Sequence, residues 1–132
     1  VEYIKERDGR KFAILDAGMN DLMRPALYQA VHDLLPVTRH SDRKTGVYDL
    51  VGPICESTDR FAKDYETSEL QENDLVAFMS AGAYGAVMSN QYNTRPLCAE
   101  VLVKGDRFEL VRKPPTFEDI VANEHIPEWI TS

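Results

Sequence analysis

The feature that most limits how this chain can fold is a series of short apolar runs, each of strand length and each followed by turn residues. These runs cover residues 11–16, 46–54, 74–79, 97–103 and 107–111. Lys104-Gly105-Asp106, between the last two runs, is typical of a hairpin turn. Strands of this length with short connections predict a mainly β fold, namely an antiparallel, Greek-key-like barrel or sandwich.

Two or three short helices are expected beside the strands. Arg24 precedes Pro25, and proline suits the first position of a helix while it displaces the residue before it from the helical region. We therefore predict a helix that begins at Pro25 and ends at Pro36. A further helix is predicted after Thr116, whose side chain can cap it. The apolar face of the first helix would be formed by Leu27, Val31, Leu34 and Leu35.

Composition narrows the functional classes. With 132 residues, 43% of them apolar and 28% charged, the chain is long enough for one domain with its own core, which we place at residues 1–132. The net charge of −7 argues against nucleic acid and anionic membranes as partners. No apolar run has the length of a membrane-spanning helix. Because the chain begins at Val1 within a strand-like run, we expect it to be part of a longer protein.

The two cysteines, Cys55 and Cys98, are too few for a disulfide framework and lack the spacing of a metal site. This favours a reducing, cytoplasmic setting and no metal. Glu56 and Asp59 follow Cys55, and acidic neighbours favour the protonated thiol, so Cys55 is a candidate proton donor. The alternative is a small buried side chain, which residue type alone favours. Cys98 is assigned to strand packing.

A second candidate site lies at the start of the first helix. Residues 16–28 follow a strand, where loops often present binding groups. Arg24 offers a planar fork suited to a carboxylate or a phosphate, and Tyr28 adds a hydroxyl one turn later. The alternative is a solvated surface arginine, with Tyr28 at the edge of the core.

A third candidate is Tyr84, which lies in a run of small residues at 80–88. Gly82 and Gly85 would let a ligand approach the backbone, and the tyrosine hydroxyl would bind an anionic group such as a phosphate. The run matches neither a Walker loop nor a dinucleotide-binding pattern. The alternative is a tight corner with Tyr84 packed in the core. The histidines are scattered without partners, which gives a nucleophilic triad little support.

Taken in order, these segments resemble the diaminopimelate decarboxylase family. The resemblance is carried by FAILDAGMNDLMRPALY at 12–28, VGPICESTD at 51–59 and FMSAGAYGAVMS at 78–89, and it continues through 92–96 and 99–103. It implies a C-terminal β domain like that of alanine racemase, preceded by a TIM-type barrel. The barrel, with the lysine that forms a Schiff base with pyridoxal 5'-phosphate, is missing from this sequence, so the chain alone is expected to be inactive.

The resemblance also implies a role for each matched residue. In that family the carboxylate at the D-configured centre of meso-2,6-diaminopimelate is removed to leave L-lysine. Cys55 corresponds to the proton donor, and Glu56 to a contact of the distal ammonium group. Arg24 corresponds to the residue that binds the distal carboxylate, with Tyr28 as a further substrate-binding residue. Tyr84 corresponds to a residue that binds the cofactor phosphate and touches the substrate. Such sites lie at a homodimer interface, where the cysteine loop reaches the partner's barrel.

Related decarboxylases of the same fold, which act on arginine, ornithine or carboxynorspermidine, are the nearest alternatives. Arg24 argues against ornithine, because ornithine has no distal carboxylate. The run that ends at Tyr28 fits the carboxynorspermidine enzyme less well. From another class, the alternative is a non-catalytic binding or assembly domain derived from such an enzyme.

Overall fold

The computed structural model describes residues 1–131 and is mainly β with short helices, as predicted. The strands are β1 (Tyr3–Arg7), β2 (Arg10–Ile14), β3 (Leu34–Pro36), β4 (Thr45–Val51), β5 (Arg60–Ser68), β6 (Val76–Phe78), β7 (Glu100–Lys104) and β8 (Arg107–Arg112). The helices are α1 (Arg24–Tyr28), α2 (Phe117–Val121) and α3 (Glu128–Thr131), with 3₁₀ turns at Ala86–Met88 and Tyr92–Thr94. The chain divides into two compact units, residues 1–89 and the part from Asn90 onward. None of the sheets in the described part closes into a barrel.

The larger sheet of the first unit has the order β1-β2-β4-β5. β1 and β2 form a hairpin at Asp8-Gly9, where both residues have a positive φ (51° and 74°), as a type I′ turn requires. β2 runs parallel to β4, with Ala13 opposite Leu50, whereas β4 and β5 are antiparallel. The antiparallel arrangement predicted from the sequence is therefore wrong for β2 and β4.

Helix α1 is much shorter than the helix predicted from the apolar pattern. It ends at Tyr28, because Gln29 takes the left-handed conformation (φ 55°) and donates its N–H to the carbonyl of Pro25. The chain then forms β3, which pairs antiparallel with β6. The predicted apolar face is wrong: Val31 is 87% exposed, while Leu34 is buried in β3. In this segment the chain forms a strand that pairs with β6, although the spacing of its apolar residues is typical of a helix.

The core of the first unit draws on side chains from both of its sheets. Its buried members are Val1, Ala13, Leu15, Leu22, Leu34, Tyr48, Leu50, Phe61 and Leu70. Two tyrosines bond to the backbone from within it. The hydroxyl of Tyr48 accepts the N–H of Leu70 at 3.1 Å, and the hydroxyl of Tyr65 accepts the N–H of Leu34 at 2.9 Å. These bonds attach β3 and the segment after β5 to the larger sheet.

Strand β5 is not among the strands predicted from the sequence, although it has 9 residues. The alternation of side chains along β5 is interrupted at Asp64, which has a positive φ of 50°. The register of β5 against β4 shifts nearby. The buried Asp49 of β4 accepts the N–H of Asp64 at 3.0 Å and pairs with Arg10. An irregularity of this kind hides the alternation by which a strand is recognised.

The second unit contains the β7–β8 hairpin, α2 and α3. The hairpin turns at Gly105 (φ 63°), and Thr116 caps α2 in a capping box with Asp119, so both predictions are confirmed. None of the described residues in this unit is buried, and Phe108 and Trp129 are 74% and 77% exposed. A two-stranded hairpin without buried side chains has little stability of its own.

We predict that Tyr48→Phe lowers stability by about 1–3 kcal/mol, because it leaves the buried N–H of Leu70 without an acceptor. Urea unfolding of the protein measures this loss. Tyr3→Phe is the matched control, since Tyr3 is 53% exposed, and it should change stability by less than about 0.5 kcal/mol. Equal effects of the two substitutions would contradict the role given to the Tyr48 hydroxyl.

Candidate active site

A tight loop after β4, which we call the Cys55 loop (residues 52–59), carries two of the predicted site residues. The N–H of Gly52 donates to the carbonyl of Asp59 at 3.1 Å, and the N–H of Asp59 donates to the carbonyl of Glu56 at 3.0 Å. Ile54 is buried, whereas Cys55 and Glu56 are exposed. Because the Cys55 side chain is exposed, the alternative of a buried, packed Cys55 is wrong.

Asp59 joins the Cys55 loop to the loop that precedes α1. The residue is 4% exposed. Its Oδ1 accepts the N–H of Met19 at 2.7 Å, and its Oδ2 accepts the N–H of Ile54 at 2.7 Å. The hydroxyl of Thr58 lies 3.8 Å from the sulfur of Met19. The sequence places Asp59 among the acidic neighbours of the thiol, but in the structure its carboxylate is bonded to the backbone of two loops.

The loop before α1, which we call the Arg24 loop (residues 16–24), is held in shape by its own polar groups. The N–H of Gly18 donates to the carboxylate of Asp21 at 2.8 Å, and the N–H of Asp21 donates to the carbonyl of Gly18 at 2.9 Å. The fully buried Asn20 donates to the other carboxylate oxygen of Asp21 at 3.0 Å. These bonds fix where α1 begins, and with it the first residue of the helix, Arg24.

Arg24 and Tyr28 are the first and last residues of α1 and lie on the same side of it, because they are four positions apart. Pro25 is the buried residue of this helix. Arg24 is half-buried, and within residues 1–131 its guanidinium forms no ion pair. Tyr28 is 63% exposed and lies outside the core. Both side chains keep their hydrogen-bonding capacity for a ligand.

Tyr84 is presented by a tight turn of small residues, which we call the Tyr84 turn (residues 80–88). The N–H of Ala86 donates to the carbonyl of Gly82 at 3.0 Å. A Cβ on Gly85 would overlap the carbonyl of Ala81, so only glycine fits that position. Tyr84 has a positive φ of 59°, which is unusual for an aromatic residue and recurs at functional sites. Because Tyr84 is 69% exposed, the alternative of a core-packed tyrosine is wrong.

Backbone contacts link the three segments. Where β2 and β4 end, the N–H of Leu15 donates to the carbonyl of Val51 at 2.8 Å. Beyond α1, the N–H of Met79 donates to the carbonyl of Asp33 at 2.8 Å, and the carbonyl of Met79 lies 3.1 Å from Nδ1 of the buried His32. The segment that follows α1 is therefore bonded to the segment that leads into the Tyr84 turn.

The five predicted side chains share one scaffold but do not bond to one another. Among the described residues, no hydrogen bond or ion pair joins any two of them. The set provides a cation, a carboxylate, a thiol and two phenols, each exposed or half-buried. It can bind a ligand that carries both signs of charge, and it includes a group able to transfer a proton. Its members are Arg24, Tyr28, Cys55, Glu56 and Tyr84.

Two residues that shape the site have roles that the sequence does not reveal. The carboxylate of Asp59 accepts the backbone N–H of Met19, which lies in another loop. The ring of His32 contacts the carbonyl of Met79, the residue that follows β6. Only the role of Asp59 has a sequence feature nearby that could have revealed it. This feature is Gly52, at the other end of the same loop, which has no side chain and so leaves room for the Asp59 carboxylate.

The second cysteine, Cys98, is exposed as well. It precedes β7, so the strand packing predicted for it is wrong. In residues 1–131 there is no group of three or more His, Cys, Asp or Glu side chains that could hold a metal ion. No helix in that part of the chain has the length and apolar character to cross a membrane.

Residues 1–82 match the family model of the pyridoxal-dependent decarboxylases, C-terminal sheet domain. The chain belongs to this family. Among its relatives, a diaminopimelate decarboxylase of Pseudomonas fluorescens is 53% identical over 126 residues, which are 96% of this chain and 30% of that protein. Another from Zymomonas mobilis is 48% identical over 127 residues, again 96% of this chain and 30% of that protein.

Solved structures agree with this family membership. The crystal structure of diaminopimelate decarboxylase from M. jannaschii in complex with L-lysine matches with a TM-score of 0.90 at 36% identity. The match covers 96% of the present chain and 29% of the M. jannaschii chain. The chain thus spans 30% of the length of the curated relatives it matches. The resemblance inferred from three sequence segments is confirmed.

We predict that Gly85→Ala distorts the Tyr84 turn, because the new Cβ would lie 2.7 Å from the carbonyl carbon of Ala81. We expect a stability loss of about 1–3 kcal/mol and faster chymotrypsin cleavage after Tyr84. Thermal unfolding and timed proteolysis measure these effects. Gly82→Ala is the control, since its Cβ would meet nothing within 4 Å. Equal cleavage rates for the two variants would contradict the turn geometry.

Proposed function

We propose that this chain is the C-terminal β domain of a diaminopimelate decarboxylase. The whole protein would remove CO2 from meso-2,6-diaminopimelate and leave L-lysine, with pyridoxal 5'-phosphate as cofactor. The observation that supports this most is that exposed Cys55 and Glu56 lie on a loop bonded, through Asp59, to the loop that carries Arg24. A proton donor and a carboxylate-binding group are thus held by one scaffold. The 53% and 48% identities to diaminopimelate decarboxylases support the substrate class.

Arg24 and Glu56 would recognise the distal end of the substrate. That end is itself an amino-acid group and carries both a carboxylate and an ammonium. The guanidinium of Arg24 can form two parallel hydrogen bonds to the carboxylate, and its partial burial strengthens them. The hydroxyl of Tyr28, one turn along α1, adds a further hydrogen bond. Glu56 would bind the ammonium. Ornithine lacks the distal carboxylate and would leave Arg24 without a partner.

Cys55 would donate the proton that replaces the departing carboxylate. When the bond to CO2 breaks, its electron pair stays at the α-carbon. The S–H of Cys55 then protonates this carbon, and the resulting thiolate takes a proton from solvent. Because Cys55 is exposed on a loop, it can approach a carbon that is held by another part of the protein. Oxidation would remove the proton, so this role favours a reducing, cytoplasmic setting.

The Tyr84 turn is the part of this chain that fits the cofactor. The hydroxyl of Tyr84 is exposed, and Gly82 borders open space, so a phosphate group can approach both an O–H donor and the backbone. Bound pyridoxal phosphate supplies an electron sink for the charge left at the α-carbon. We assign the lysine that would bond to it to a barrel domain outside this chain.

We assign the rest of the site to that barrel domain and to the second subunit of a homodimer. All five site side chains are exposed or half-buried and do not pair with one another, as expected for part of a shared site. Residues 1–132 would form one C-terminal domain. Further strands of the protein would complete a Greek-key-like barrel or sandwich and cover apolar side chains such as Phe108 and Trp129.

We predict that Cys55→Ala in the full-length enzyme lowers kcat on the order of 10²–10⁴-fold, the usual contribution of a positioned proton donor. KM should change little, because the donor acts after the substrate has bound. Steady-state CO2 release from meso-diaminopimelate measures both constants. Cys98→Ala is the matched control, since Cys98 is also an exposed cysteine, and it should behave like the parent enzyme. An unchanged kcat for Cys55→Ala would remove this residue from the mechanism.

We predict that Arg24→Lys lowers kcat/KM for meso-diaminopimelate by about 10- to 100-fold, because lysine keeps the charge but loses the two-pronged hydrogen bonding. Arg39→Lys, an exposed position, is the control and should have no effect. The same assay compares meso-diaminopimelate with ornithine, arginine and carboxynorspermidine. Faster decarboxylation of any of these three would overturn the substrate assignment, and no CO2 release at all would favour a non-catalytic domain.

A further inference from the structure

The ring of His32 contacts the residue that precedes the Tyr84 turn. Nδ1 of His32 lies 3.1 Å from the carbonyl oxygen of Met79. Because a carbonyl can only accept a hydrogen bond, this contact requires the proton on Nδ1. His32 is 8% exposed, and within residues 1–131 its Nε2 has no hydrogen-bond partner. In that part of the chain, the polar contact of the ring is therefore the one to Met79.

Met79 is held on both sides of its backbone by two consecutive residues. Its N–H donates to the carbonyl of Asp33 at 2.8 Å, and its carbonyl contacts His32. The residue after Asp33 begins β3, which pairs with β6, so the sheet fixes the N–H side of Met79. Among the described residues, the group that fixes the carbonyl side is the ring of His32.

The carbonyl of Met79 belongs to the peptide group that leads into Ser80. Ser80 has a positive φ of 54°, a left-handed conformation that is unfavourable for a residue with a side chain. If this peptide group turned over, φ of Ser80 would become negative and the strain would be relieved. The same rotation would carry the carbonyl oxygen away from His32. The hydrogen bond of His32 therefore stabilises the left-handed conformation of Ser80.

The conformation of Ser80 sets the direction in which the Tyr84 turn leaves β6. The turn itself is compact, because the N–H groups of Gly85 and Ala86 both donate to the carbonyl of Gly82, at 3.2 and 3.0 Å. A compact turn moves as a unit when its first residue rotates. A change at Ser80 would therefore displace the hydroxyl of Tyr84.

We propose that His32 is a positioning residue for the Tyr84 hydroxyl, because it holds the carbonyl of Met79 and with it the left-handed conformation of Ser80. This inference rests on the proposed function, in which the Tyr84 hydroxyl binds the cofactor phosphate. His32 is buried and acts through the backbone of residues 79–84. It is not a ligand of the cofactor.

The first test is amide hydrogen exchange of the full-length, cofactor-free protein, which is independent of activity. His32→Asn and His32→Gln form a matched pair, since the amide nitrogen of asparagine corresponds in position to Nδ1 and that of glutamine to Nε2. His32→Gln should raise exchange in residues 80–88 by roughly 5- to 10-fold, the effect of one lost hydrogen bond, and His32→Asn by less than about 2-fold. Equal exchange in the two variants would overturn the proposal.

A variant outside the core tests the same step. Ser80 is exposed, so its substitution leaves the core unchanged. Ser80→Val should raise exchange in residues 80–88 as His32→Gln does, because a branched side chain is poorly compatible with a positive φ. Ser80→Gly is the control and should retain the exchange of the parent protein. Parent-like exchange in Ser80→Val would contradict the role given to this backbone conformation, and the proposal with it.

The second measurement is the affinity of the cofactor-free, full-length protein for pyridoxal 5'-phosphate, followed by the absorbance of the bound cofactor. His32→Gln should raise the Kd by roughly 5- to 10-fold, and His32→Asn should restore most of the affinity. Tyr48→Phe is the control for a general loss of stability, since its buried hydroxyl bonds to Leu70. It should keep the Kd of the parent protein. An equal rise in Kd for Tyr48→Phe and His32→Gln would overturn the positioning role.

These measurements separate the inference from the proposed function. If the full-length parent protein neither binds pyridoxal 5'-phosphate nor decarboxylates meso-diaminopimelate, the proposed function fails, while the exchange data still decide whether His32 holds the Tyr84 turn. If the parent protein does both and His32→Gln keeps its Kd, the positioning role fails, while the proposed function stands.

Discussion

The parallel pairing of β2 with β4 is the constraint on which the candidate site depends. Parallel neighbours end at the same edge of a sheet, so the loops that leave them begin side by side. The N–H of Leu15 bonds to the carbonyl of Val51 at that edge, at 2.8 Å. The Arg24 loop leaves β2 and the Cys55 loop leaves β4. An antiparallel pair would place these two loops at opposite ends of the sheet, and no residue could bridge them.

The site side chains are displayed because their neighbours in sequence are buried. Ile54 is 8% exposed beside Cys55, Pro25 is buried beside Arg24, and Gly85 is buried beside Tyr84. In each loop, one buried residue holds the backbone in place and the neighbouring residue points outward. The positions of these polar side chains are therefore set by the packing of their buried neighbours. Among residues 1–131, Arg24 forms no ion pair, and Glu56 accepts a hydrogen bond from the neighbouring Ser57 at 3.4 Å.

Features that depend on neighbours in sequence can be predicted from the chain, and features that depend on distant partners cannot. The turn at Gly105 and the cap at Thr116 follow from local chemistry, and both are confirmed. The prediction that the first helix continues to Pro36 is wrong, because β3 pairs with β6. No local sequence pattern reveals this pairing. The bridging bond of Asp59 to Met19 is also nonlocal. The roles predicted for the motif residues rest on the order in which three segments match a family.

The parallel pairing also has a consequence for how the protein folds. β2 and β4 are connected through α1 and β3, so their contact closes a long loop and costs more chain entropy than a hairpin. The β1–β2 hairpin and the β4–β5 pair are local in sequence and can form earlier. We expect the edge that carries both site loops to assemble late in folding and to open first under mild denaturation. The relative placement of the Arg24 loop and the Cys55 loop would then be lost while most strands are still paired.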